Sequence, residues 1–223
     1  MNSIGEGPYC SAISPAPPPP TACSTPGIKV LDDVSPGNVD NDSGQNTPPD
    51  PRANIKQLYI AEPYMGAGVN KLVFQLNVAP STGLGMTTPP PNSQRFIIWD
   101  RLHPEVSFDR WYVAMRTDVT GATTFEYGKF GVPIDTSGNE VPDPNSNTPM
   151  VGSADSGSYN VATGVITITL STSKTETVQP GQGLSNINVR TYFNRPDPGQ
   201  RSQNNASDIT DNGLYTVVGN ASC

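Results

Sequence analysis

KLVFQLNV, residues 71–78, alternates apolar and polar side chains: Leu72, Phe74, Leu76 and Val78 fall on one face, Lys71, Gln75 and Asn77 on the other. That period of two is the signature of a strand with one buried face. VITITLS (165–171) repeats it, with Ile166, Ile168 and Leu170 inward and Thr167 and Thr169 outward. Six further runs read as strands: IKQLYIA (55–61), RFIIWD (95–100), RWYVAMRT (110–117), TTFEYGKF (123–130), INVRTYF (187–193) and LYTVVG (214–219). GAGVN (66–70), VTGA (119–122) and NVATG (160–164) supply turns between them. No stretch keeps a helical period for three turns. The expectation is an all-β fold, a two-sheet antiparallel β-sandwich of jelly-roll or immunoglobulin-like type with long polar loops.

Composition agrees with short strands and many turns. The 223 residues include 21 glycines and 24 prolines, and only 34% are hydrophobic. A formal charge of −7, without a basic stripe, argues against a nucleic-acid partner. No run of 18 apolar residues is present to span a membrane as a helix. MNSIGEGPYC (1–10) lacks the basic start and apolar middle of a signal peptide. Residues 1–26 include the proline tract of SPAPPPPTACSTPG, which reads as a stalk or linker, so the domain is expected at 27–223. Two polar insertions, 133–158 and 194–213, read as loops.

Cys10, Cys23 and Cys223 lie at the edges of the sequence, an arrangement that suits a terminal staple in an oxidising compartment better than a metal site. Three pairings are open. Terminal placement favours Cys23 with Cys223, tying the start of the domain to its end and leaving Cys10 free or bonded to another chain. With abundant Asn, Thr, Ser and Gly, the composition suggests an extracellular or cell-surface protein.

The segment from Asp32 to Asp50 holds Asp32, Asp33, Asp40, Asp42 and Asp50 with no lysine or arginine between them. Calcium suits such a loop, because it takes six to eight oxygens in flexible geometry. The spacing in DNDSG is not that of an EF-hand, and a solvated acidic loop is the alternative reading.

IKQLYIAEPYMGAGVNKLVFQLNV (55–78), NSQRFIIWD (92–100), WYVAMRTDVTGATTFEYG (111–128), GSADSGSYNVATGVITITLS (152–171) and YTVVGNASC (215–223) together resemble a β-sandwich accessory domain. Such domains are appended to large secreted bacterial proteins with sialidase-like or subtilisin-like parts. More distantly the chain is similar to DOMON-like and family 9 carbohydrate-binding sandwiches, in which loop acids and a strand-opening Asp hold calcium. Carried over, that resemblance implies Asp32, Asp40 and Asp42 as ligands, with Glu62 pointing toward the same region. Asn54 stands where the strand-opening Asp would be, which removes one charge.

Catalysis finds little support in the residues. The single histidine, His103, precedes a proline, and no GxSxG nucleophile elbow or zinc constellation exists. Strand parity puts Tyr112 beside Arg116 on the solvent side if Trp111, Val113 and Met115 face the core, a pair suited to a glycan. The expected function is therefore a secreted, non-catalytic, calcium-binding module with a structural or attachment role, partnered by a cell-surface glycan, a neighbouring domain or another subunit. A carbohydrate-binding module is the first alternative. A filament subunit that donates its N-terminal extension to a neighbour is the second.

Overall fold

A computed structural model describes residues 21–32, 51–80, 89–102, 108–130, 150–175, 177–193 and 208–223. Its elements are strands and short 3-10 turns, and the strands form two antiparallel sheets. The first has the order β1 (Ile28–Asp32), β2 (Ile55–Ala61), β3 (Lys71–Val78), β9 (Val165–Ser171) and β8 (Ser156–Asn160). The second runs β11 (Asp208–Ile209), β10 (Gly183–Phe193), β4 (Ser93–Leu102), β5 (Phe108–Thr117), β6 (Thr123–Phe130) and β7 (Met150–Ser153), with β12 (Gly213–Thr216) also paired to β10. The two-sheet expectation therefore holds.

Alternation places the core between the sheets. Leu58, Ile60, Leu72, Phe74, Ile166 and Ile168 face inward from the first sheet, against Ile97, Trp99, Val113, Met115, Ile187 and Val189 from the second. Phe74 of β3 stacks on Trp99 of β4, with ring centroids 5.3 Å apart. Each such side chain contributes about 1.5–3 kcal/mol on full burial. Between the sheets near one edge, Phe125 of β6 packs over Gly157 of β8, where a Cβ would stand 2.0 Å from the ring. The missing side chain lets that edge close.

The second sheet departs from simple alternation. Phe96, Ile98, Tyr112, Ala114 and Tyr192 occupy its outer face and are all buried. RFIIWD is consequently a continuous buried run, as a strand covered on both faces reads. Phe96 meets Tyr112 and Tyr192 edge-on at 5.2 and 5.8 Å.

Four strands escape the sequence reading. β1 lies where only an acidic opening is expected, β7 and β8 lie in the insertion read as one polar loop, and β11 lies in the second insertion. All are short, and β8 (SGSYN) carries no apolar alternation. The packed domain also starts earlier than residue 27. Ala22 is completely buried, and its carbonyl accepts the Glu62 amide at 2.6 Å.

Gly27 leads into β1 with φ +100°, and a Cβ there would sit 2.1 Å from the Ile60 carbonyl oxygen. Backbone cannot yield as a side chain tip does. Gly27→Ala should cost more than about 2 kcal/mol, since it combines left-handed strain with a backbone clash. Chemical denaturation measures it; a loss below about 0.5 kcal/mol would contradict the β1–β2 approach described here.

Candidate functional site

Of the residues expected to surround calcium, the described pair Asp32 and Glu62 lies far apart. Asp40 and Asp42 lie outside the described residues. Asp32, at the end of β1, pairs with Lys29 and accepts Gln57 Nε2 at 3.1 Å. The hydrogen bond from Lys29, helped by Gln57, holds its carboxyl below the usual range. Asn54 immediately precedes β2, and its backbone carbonyl accepts the Ala79 amide at 2.9 Å. Glu62 follows the opposite end of β2. Asp32 is in register with Gln57, and the five residues from there to Glu62 span about 16 Å at the rise of a strand. A calcium shell reaches only about 2.3–2.6 Å from ion to oxygen. Asp32 and Glu62 therefore cannot share one ion, and among the described residues no group of three His, Cys, Asp or Glu is placed to hold a metal.

Glu62 instead closes the domain. It is completely buried. Oε1 accepts the Tyr215 hydroxyl and the Val218 amide, and Oε2 accepts the Gly219 amide, each at 2.7 Å. Burial, reinforced by the Glu62 carboxylate, pushes the Tyr215 hydroxyl pKa strongly upward. Asn220 completes the arrangement. Its Oδ1 accepts the Lys71 amide at 2.8 Å, while its Nδ2 donates to the Pro63 and Lys71 carbonyls at 2.8 and 3.0 Å. Beside this cluster Cys23 is bonded to Cys223, with Cα atoms 5.1 Å apart. That is the pairing expected from terminal placement; Cys10 lies outside the described residues.

Tyr112 and Arg116 do come together, on the outer face of the second sheet as parity predicts. The difference is exposure: Tyr112 is completely buried rather than open to a glycan. Its ring lies over Gly128, where a Cβ would meet it at 2.4 Å. Arg116 is ion-paired with Glu126, whose Oε1 also accepts the Tyr112 hydroxyl at 3.4 Å. Burial, followed by the nearby Glu126 charge, pushes the Tyr112 hydroxyl up to about 12.

Three further carboxylates gain roles that the sequence does not signal. Asp208 Oδ2 accepts the Ile55 amide at 2.7 Å, which ties β11 to the start of β2. Asp100 receives Arg110 Nε at 2.7 Å and Nη2 at 3.2 Å, together with Asn186 Nδ2 at 3.0 Å. Asp155, just ahead of β8, receives Lys174 at 2.7 Å, Lys71 at 3.3 Å and the Ser171 hydroxyl. His103 lies outside the described residues. No helix among the described residues is long and apolar enough to cross a membrane. Comparison with protein-family models, curated proteins and solved structures finds no match.

Asp155 offers a pH test. Partial burial would raise its carboxyl, but hydrogen bonds from Lys174, Ser171 and Lys71 overcome that and hold it at about 2. An unfolded Asp titrates near 3.9, so the depressed native value adds stability that is complete above about pH 4 and lost as pH falls toward 2. Solvent around both ammonium groups limits the effect to about 1 kcal/mol. The stability gap between wild type and Asp155→Asn should therefore narrow between pH 5 and pH 2 in urea titrations. A constant gap would contradict this role.

Proposed function

We propose that the chain is a secreted, non-catalytic β-sandwich module with a structural or attachment role. The observation that carries this reading is the Cys23–Cys223 bond, which encloses a sequence separation of 200 residues and so spans every strand among the described residues. Disulfides of this kind persist in oxidising surroundings. In the chain-entropy model such a long loop contributes on the order of 4–5 kcal/mol by constraining the unfolded chain. A mechanical consequence follows from the same topology. Load that enters near Cys23 and leaves near Cys223 passes through the sulfur–sulfur bond rather than through the sheets.

The non-catalytic part rests on how the buried acids are used. Glu62 and Asp208 are engaged by backbone amides, Asp100 and Glu126 by arginines. A general acid or base must exchange its proton with a substrate, whereas these carboxylates hold strands to one another.

Single-molecule pulling across residues 23 and 223 tests the structural reading. Without reductant, no extension of the enclosed segment should occur up to covalent rupture. With reductant, unfolding should release roughly 700 Å of contour from those residues. Recovery of Cys23 and Cys223 as free thiols in protein purified from an oxidising compartment, or full release without reductant, would overturn the proposal.

A further inference from the structure

We propose that a polar groove on the outer side of the second sheet binds a neutral sugar, which would supply the ligand for the attachment role proposed above and rests on that reading. The groove has a volume of about 370 Å³, within the range of small-molecule sites. Arg110, Asn186, Asn188, Arg190, Asp211 and Asn212 supply most of its wall.

Arg110, Asn186, Asn188 and Arg190 are held in place before any ligand arrives. The Arg110 guanidinium is fixed along one edge by both Asp100 oxygens, and Asp100 is itself buried. Asn186 Nδ2 donates to the same carboxylate at 3.0 Å. Arg190 Nε donates to Asn188 Oδ1 at 3.0 Å, and Asn188 Nδ2 donates to the Asn186 carbonyl at 3.0 Å. A bulge in β10 makes this possible, since its register shifts between Leu184 and Ile187 against β12 and between Ser185 and Asn188 against β4. Asn186 sits in the bulge with φ 49°, a left-handed conformation that asparagine tolerates better than most residues. Bulges re-aim side chains, and here the re-aimed side chain joins the network under the groove. Such prior fixing lowers the ordering cost of binding.

Charge and chemistry select the ligand. Arg110 is balanced by Asp100, and the Arg190 cation shares the groove with the Asp211 anion. Among the described residues of the wall and the Asp100 beneath it the charges balance, which does not favour a phosphate or sulfate. What remains is a dense set of planar donors and acceptors: guanidinium, carboxamide and carboxylate. Adjacent hydroxyls of a pyranose both donate and accept, so they satisfy such a set where a simple anion or an apolar ligand would not. Among the described residues the wall holds no aromatic ring for stacking, so binding there depends on hydrogen bonds and is weak for each copy. Multivalent display would then provide the attachment.

The test uses the full chain, displayed as a multimer on an array of neutral and acidic oligosaccharides. Methyl glucoside, galactoside and mannoside are then titrated into the monomer and followed by the side-chain amide resonances of Asn186, Asn188 and Asn212. Neutral glycans should bind, at least one glycoside should shift those resonances saturably, and Arg190→Ala or Asn212→Ala should weaken binding at least tenfold, as expected for hydrogen bonds of this kind. Tyr59→Ala, on the first sheet, should leave binding unchanged. Binding only to acidic glycans, with strong salt dependence, would overturn the neutral-sugar assignment. Glycan binding that survives the groove variants but fails in Tyr59→Ala would remove the groove while keeping the attachment role. If no glycan binds, the groove proposal falls, and pulling across the disulfide still decides the structural reading.

Discussion

A buried carboxylate holds this sandwich closed. Glu62 stands just beyond β2, in the first sheet, and its three donors come from the far end of the chain. Removing a carboxylate from water is costly unless its oxygens are well satisfied. Here two backbone amides and a tyrosine hydroxyl do so at 2.7 Å each. The same donors would be unsatisfied without it, so acid and C-terminal segment depend on one another. Once that segment is docked, Asn220 reaches the start of β3 and Cys223 comes to lie against Cys23. The disulfide thus secures a geometry that hydrogen bonding prescribes.

The same device recurs around the domain. Asp208 ties β11 to β2, Asp100 joins β4 to β5 and β10, and Glu126 joins β6 to β5. A chain with 34% hydrophobic residues has limited apolar surface to place between its sheets. Cross-ties between remote strands add specificity where apolar burial alone is thin. Each also fixes a register, because a carboxylate satisfied by particular amides or guanidiniums tolerates little sliding.

Legibility in the sequence follows from this division. Strands with clear alternation, such as Lys71–Val78 and Val165–Ser171, are evident because their pattern is local. The second sheet's central strands are also recognisable, and parity gives the side of Tyr112, but alternation does not reveal that this outer face is buried. Short strands without alternation, β8 among them, leave no periodic trace. The carboxylate ties are invisible for another reason. Glu62 lies 153 to 157 positions from its partners, and nothing local distinguishes it from a loop acid inclined toward a metal. The pairing of Cys23 with Cys223 was accessible only because both lie at the limits of the domain.

The proposed structural or attachment role would benefit from a domain whose two edges, at Cys23 and Cys223, are held together. The central claim is that the C-terminal segment, docked on Glu62, belongs to the core rather than to a loose tail. Native-state hydrogen exchange at the Val218 and Gly219 amides, compared with β3 amides, tests it most directly. In the oxidised protein both should exchange with an opening free energy within about 1 kcal/mol of the β3 core. In Glu62→Ala, with the disulfide intact, that protection should fall by at least about 2 kcal/mol. Near-intrinsic exchange at Val218 and Gly219 in the wild type, beside a protected β3, would contradict the claim.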